Sequence, residues 1–406
     1  MPKFAYVAKN KEGRTMRGDL EAPDKKSAIE VIRSRDMLMI RIDELKKRES
    51  IISSLMSSSR RKVPMDELVI FVRQMATMTG AGITIVNALD TMGDQVAHAR
   101  FKKVILDVRD SVNTGASLSD AMAKHSSVFS EFFVNMVKAG ESSGMLDEVL
   151  ERVATYMEKT HSLQRKIRSA MVYPAVVSFL ALVITFVLIL RVIPVFKDMF
   201  SGFGAELPGP TQFLINVSDI VRSSFWLLAI GVIGVGSGVK WYINTAQGRL
   251  AFDGLKLKLP VFGPLFKKVA ISKFSRTLST LVRSGVPILS ALEIVAKTAG
   301  NVVVERSVYA VKESVKEGES IATPMEKSGI FPPLVTRMIS VGEKSGELEK
   351  MLSKIADFYD DQVSSTVDSL TSLIEPFVIV FLGVIIGGIV ISMFLPIFKM
   401  GTLIEF

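Results

Sequence analysis

Three uncharged apolar runs constrain this chain more than any other feature: Met171–Leu190 (20 residues), Ser223–Val239 (17) and Pro376–Phe398 (23). A helix needs about 20 apolar residues, range ~17–25, to cross the hydrocarbon of a bilayer. Backbone in lipid must satisfy its own hydrogen bonds, so each run reads as a transmembrane helix. The second run is short, but Trp226 at one end and Trp241-Tyr242 at the other supply interfacial aromatic anchors. The alternative, a buried helix of a soluble domain, sits poorly with these lengths. Of 406 residues 48% are hydrophobic and yet 22% are charged, so the apolar residues are concentrated in segments joined to polar domains.

The basic residues orient the spans. Lys159, Arg165, Lys166 and Arg168 precede the first, and Lys240, Arg249, Lys256, Lys258, Lys267, Lys268 and Lys273 follow the second. The stretch 191–222 between them holds only Arg191, Lys197 and Arg222, offset by Asp198, Glu206 and Asp219. Lys and Arg collect on the cytoplasmic side, which predicts a cytoplasmic N-terminus, an external 194–222 connector and a short external tail at 399–406. The net charge of +9 is accounted for by this topology, so nucleic acid is not an expected partner. The opening MPKFAYVAKN has no apolar core behind its charge and predicts no cleaved leader.

The chain also repeats itself. Phe71–Leu89 (FVRQMATMTGAGITIVNAL) aligns with Phe274–Leu292 (FSRTLSTLVRSGVPILSAL) at an offset of 203. At an offset of 202, AGESSGML (Ala139–Leu146) meets VGEKSGEL (Val341–Leu348), and IPVF (Ile193–Phe196) meets LPIF (Leu395–Phe398). Each unit is therefore a polar segment feeding into a span, and the second span returns the chain for the second copy. Apolar residues recur at three and four, as in Leu68, Phe71, Val72 and Met75, and the breaks fall at Gly, so each copy reads as short helices. Pro174 and Pro376 are read as opening spans one and three, where the missing N–H costs nothing.

The expected fold is mainly α: a polytopic membrane protein with three transmembrane helices, two duplicated cytoplasmic helical bundles and a small N-terminal α+β module. The divisions are the module at 1–43, a basic Ser-rich linker at 44–62, bundles at 63–170 and 266–375, and spans at 171–193, 223–242 and 376–398. In the module, FAYVA and RTMRGDL flank the turn signal Asn10–Gly13 as a hairpin, Pro23-Asp24 opens a helix, and Met37–Ile42 returns as a strand. Within the linker, Ile51, Ile52, Leu55 and Met56 offer a second reading, a surface helix on anionic lipid.

Catalytic chemistry is scarce. The absence of Cys excludes disulfides, Cys-ligated zinc and a thiol nucleophile, and only three His occur. No phosphate loop is present: GEKSG at Gly342 lacks the upstream Gly and carries Glu343 before Lys344. No metalloprotease, nucleophile-elbow or calcium-loop pattern occurs, so neither catalysis nor a cofactor is expected. The repeated turns Gly140-Glu141-Ser142-Ser143-Gly144 and Gly342-Glu343-Lys344-Ser345-Gly346 are candidate partner-docking loops. Their structural reading is a Gly-capped helix followed by a new helix, with the Glu at the new N-terminus. Gly234xxxGly238 and Gly383xxxGly387 permit close helix approach in the membrane, within one chain or between chains. Arg191, at the outer end of span one, is a snorkelling anchor or a counter-charge for a membrane-embedded carboxylate.

The duplicated FxRxxxxxxxxGxxIxxAL pattern, the repeated GExSG turn, Glu375-Pro376-Phe377 opening the last span and LPIFKMG closing it resemble the PilC family. These are inner-membrane platform proteins of type IV pilus assembly, homologous to the F component of type II secretion, and the resemblance covers the whole chain. It implies a non-enzymatic scaffold that binds hexameric assembly and retraction ATPases, pilin subunits and other inner-membrane alignment proteins. A hub facing a symmetric ATPase suits a homo-oligomer in contact with membrane lipids, and the position of Arg191 at the span end makes it the candidate contact to a pilin carboxylate. The ending resembles the pilus branch more than the secretion branch. A transporter is the rival reading, but transporter repeats lie within the membrane and place charge or broken helices at its midplane.

Overall fold

The duplication in the sequence is also a duplication in space. The computed structural model describes residues 3–9, 15–22, 24, 27, 29, 31, 38–44, 62–201 and 208–403, and the chain divides into two units. The first unit holds strands β1 (Lys3–Lys9), β2 (Thr15–Glu21) and β3 (Leu38–Glu44) in the order β2-β1-β3. β1 and β2 pair antiparallel from Lys3 opposite Glu21 to Lys9 opposite Thr15, and β1 pairs β3 with a bulge between Val7 and Ala8. Of the helix read after Pro23-Asp24, only isolated positions are described, among them the capping bond from Ser27 N–H to Asp24 Oδ1 at 2.7 Å. The linker reading at 44–62, with its surface-helix variant, lies outside the described residues except at its two ends.

Most of the other described residues are helical. The first copy comprises α1 (Met65–Gly80), α2 (Ile85–Gln95), α3 (Ala99–Asn113), α4 (Leu118–Ala123), α5 (Glu131–Ser143) and α6 (Leu146–Val187). A π-helical turn, Leu188–Val192, leads to α7 (Ile193–Ser201), then α8 (Gly209–Ser223), α9 (Phe225–Ile243) and α10 (Ala246–Lys258). The second copy comprises α11 (Gly263–Arg283), α12 (Ile288–Thr298), α13 (Val302–Lys316), α14 (Ala322–Lys327), α15 (Pro333–Ser345) and α16 (Leu348–Leu403). Both ends of α2 and α3 recur 203 residues later in α12 and α13, and both ends of α5 recur 202 later in α15. Left-handed glycines keep the same register: Gly82, Gly115 and Gly144 (φ 81°, 97°, 72°) answer to Gly285, Gly318 and Gly346 (77°, 92°, 72°). An L side chain is strained there, which is why these turns carry Gly in both copies.

Side-chain caps start several of these helices: Thr84 accepts from Asn87 N–H, Ser117 from Asp120, Ser130 from Phe133, and Asn301 from Val303 and Val304. In each copy the first helix packs along the last, α1 on α6 and α11 on α16, and α6 and α16 also pack on each other. The two bundles thus share one body. Leu265, Val363, Val367 and Leu370 form a buried cluster there, joined by Leu163, Ile167, Ala170 and Val269.

Among the described residues, three helices are long and apolar enough to span a bilayer: Leu146–Met199, Phe225–Ile243 and Leu348–Leu395. α9 has no buried residue, and Trp226 and Trp241 stand exposed at its two ends, as interfacial anchors should. Pro174 and Pro376 do not open their helices. Both lie inside continuous ones, because the preceding turns of α6 and α16 are already held by packing in the bundles. The lost backbone bond is thus accepted in mid-helix rather than at a first turn.

Candidate functional site

The repeated GExSG turn divides its work among its residues. Gly144 and Gly346 end α5 and α15 in the left-handed conformation. Gly140 and Gly342 lie inside those helices, where a Cβ on Gly140 would stand 3.1 Å from the Leu146 backbone and one on Gly342 would stand 3.0 Å from the Leu348 backbone. Their role is close approach to the following helix, not a break in the chain. Ser143 and Ser345 each donate from the hydroxyl to the carbonyl of that buried glycine, at 3.3 and 3.4 Å. The Glu does not serve the helix that follows. Glu141 accepts the backbone N–H groups of Leu118 and Ser119, and Glu343 accepts that of Ile321 on both oxygens. Each carboxylate therefore sits at the N-terminal end of α4 or α14, where aligned peptide dipoles favour negative charge. Ser142 and Lys344 are left exposed in the two turns.

The first copy's turn lines a cleft with the second copy's left-handed turn: Ser142, Ser143 and Met145 face Gly285, Val286 and Pro287 across about 600 Å³. Arg152 bridges the copies by donating to the Arg283 carbonyl at 2.7 Å. Nearby, the buried Tyr156 hydroxyl meets Thr277 Oγ1 at 3.0 Å, and Lys159 meets Asp357 at 3.2 Å. Thr277 gives its own proton to the Lys273 carbonyl, so Tyr156 is the donor in their bond. Burial raises the Tyr156 phenol above its ordinary value, and the bond to Thr277 opposes that. A further bridge, Lys297 to Glu131 at 2.7 Å, joins α12 to the start of α5.

The Arg of the duplicated FxR pattern was legible as a repeat, but its acidic counterpart was missed. Arg73 reaches from α1 to Glu158 on α6 through two parallel bonds of 2.6 Å, and to Glu151. Arg276 reaches from α11 to Asp360 and Asp357 on α16. Glu158 and Asp360 stand at the repeat offset of 202, the signal that could have found them. Hydrogen bonds from Arg73 hold the Glu158 carboxyl below the usual glutamate range. Among the described residues no group of three or more His, Asp or Glu is placed to hold a metal ion.

Just past the first apolar run, Arg191 lies exposed on the π-helical turn. Ser218 of α8 donates to the Ile189 carbonyl of that turn at 2.6 Å, and Thr211 donates to the Ser392 carbonyl of α16. α8 is thereby tied to both long helices. Gly234, Gly238, Gly383 and Gly387 have nothing within 4 Å of where a Cβ would sit, so within the described chain they make no close approach.

Residues 71–194 and 274–396 each match the family described as Type II secretion system (T2SS), protein F, and residues 1–43 match the N-terminal domain of that protein. The type IV pilus assembly protein PilC of Myxococcus xanthus is 40% identical over 99% of this chain and 96% of its own length. The PilC of Thermus thermophilus is 42% identical over 99% of both chains. The type II secretion system protein F of Vibrio cholerae is 31% identical over the whole of both chains.

Proposed function

We propose, on the premise that the chain belongs to the type II secretion system protein F family, that it is the non-enzymatic inner-membrane platform of a type IV pilus assembly machine. The observation that carries this reading is mechanical. One body made of both copies continues without a break into two membrane helices, of which α16 alone has 56 residues, about 84 Å at 1.5 Å per residue. Packing between α6 and α16 makes a force applied to the bundles a displacement within the bilayer. The higher identity to pilus proteins than to the secretion protein favours the pilus branch. An F component of a type II secretion system is the second reading.

In this proposal the N-terminus and both copies face the cytoplasm, on the distribution of Lys and Arg. Hexameric assembly and retraction ATPases dock on the bundles, with the exposed Ser142 and Lys344 turns as candidate contacts. Pilin subunits and alignment proteins meet the spans, Arg191 offers its guanidinium to a pilin carboxylate, and copies of the chain pair through Gly234/Gly238 or Gly383/Gly387. A detergent pull-down with the chain as bait, read by mass spectrometry, tests it. Recovery of a secretion-type ATPase with pilins supports the pilus platform. Recovery of secretion pseudopilins instead moves the chain to the second reading, and recovery of neither sinks both.

A further inference from the structure

We propose that α10 and the first turn of α11 form an interfacial surface that rests on anionic phospholipid, alongside the three spans. Both ends of this segment are held at the membrane. α10 begins after Asn244 and Thr245, directly where α9 leaves the bilayer. At the other end, Leu265 packs with Leu370, six residues and about 9 Å before the apolar run that opens at Pro376. A helix pinned at the surface at both ends lies along it.

The faces of α10 fit that placement. Phe252, Leu255 and Leu259 recur at three and four, share one face and are exposed. Val261, Phe262 and Phe266 extend the exposed apolar surface. Apolar patches of this kind on a polar body mark a contact. The opposite side is locked to the second copy: buried Asp253 accepts the Val302 N–H at 3.0 Å, and its carbonyl accepts from Asn301 at 3.1 Å. α10 therefore cannot roll to hide its apolar face.

Charge selects the occupant. Over residues 240–268 there are six basic residues and one acidic residue, and that one, Asp253, is buried. Arg249, Lys258 and Lys267 are exposed beside the apolar face, and Lys256 lies over the Phe252 ring at 4.3 Å. An apolar stripe flanked by cations and continuous with a span is the pattern of an interfacial helix on anionic headgroups.

The chain has no cysteine, so single-cysteine labels report cleanly. The full chain carrying L255C, or K350C at the far end of α16 as a control, is labelled with a fluorophore. It is then reconstituted in phosphatidylcholine vesicles containing nitroxide lipid, with and without phosphatidylglycerol. Quenching at position 255 should exceed that at 350 several-fold, rise with phosphatidylglycerol, and lose that rise in R249Q/K258Q/K267Q. Equal quenching at the two positions overturns the surface, and a phosphatidylglycerol response untouched by the triple variant overturns the headgroup contact. A 255 label unquenched by lipid yet shielded from water-soluble reagent in native membranes overturns it too, and assigns the face to a protein instead.

Discussion

The Glu343 carboxylate accepts the Ile321 backbone N–H on both oxygens, at 3.0 and 3.1 Å, reaching 22 residues back along the chain. Glu141 makes the equivalent contact to Leu118 and Ser119. Each repeated turn thus ties the last short helix of its copy to the one before it. A bond to a charged group contributes about 1.5–3 kcal/mol. E343A should lower stability by that order, while E343Q, which keeps an acceptor, should lose less. Thermal unfolding of the detergent-solubilised chain measures both, and equal losses would sink the charge-assisted assignment.

The two glycines of the same turn fail for different reasons. G342A places a methyl 2.9 Å from Met351 Cγ and 3.0 Å from the Leu348 backbone, an overpacking of about 1–3 kcal/mol. G346A meets no atom but is strained at φ 72°, by about 1–2 kcal/mol. A Met351→Ala change removes the Cγ contact and so relieves part of the first defect and none of the second. A double-mutant cycle should therefore show coupling for 342 with 351 and none for 346 with 351.

Arg73 and Arg276 hold equivalent places with unequal burial, 32% and 11% of the side chain exposed. Removing the more buried cation leaves Asp360 with only the Ser272 hydroxyl and Asp357 with only Lys159, so R276A should cost about 1.5–3 kcal/mol. R73A, at a more solvated pair, should cost about 1 kcal/mol or less. Denaturant titration of the two variants checks the order, and the reverse ranking would refute it.

Acid should find the Arg73 pair. The folded Glu158 carboxyl lies below its unfolded value of about 4.3, so its contribution is complete above that pH. It is lost as the pH falls from about 4.3 through the folded value. E158Q removes this component, so stability against pH should be flatter in the variant over that range and parallel to the parent above it.

Y156F should loosen the join between the copies without leaving an orphan, since Thr277 keeps the Lys273 carbonyl as its acceptor. The expected loss is about 0.5–1.5 kcal/mol. Hydrogen exchange should quicken where α6 meets α11 more than within α12 and α13, and uniform quickening would count against a local join.

The sequence carried a great deal of this structure by itself. Chain-local physics determined the spans, because about 20 apolar residues have few other stable arrangements. It also determined the repeat register and the left-handed Gly144 and Gly346, because a backbone dihedral is chosen by the residue that occupies it. The same local logic misplaced the Glu141 and Glu343 carboxylates, Gly140 and Gly342, and the two prolines. Which N–H a carboxylate meets, which helix a glycine admits, and whether a helix continues through Pro174 depend on helices distant in sequence. Only the packing of α1 on α6 and α11 on α16, and of these long helices on each other, decided those contacts. That packing joined the two copies into one body, because apolar faces separated by some two hundred residues of chain can be buried only against each other.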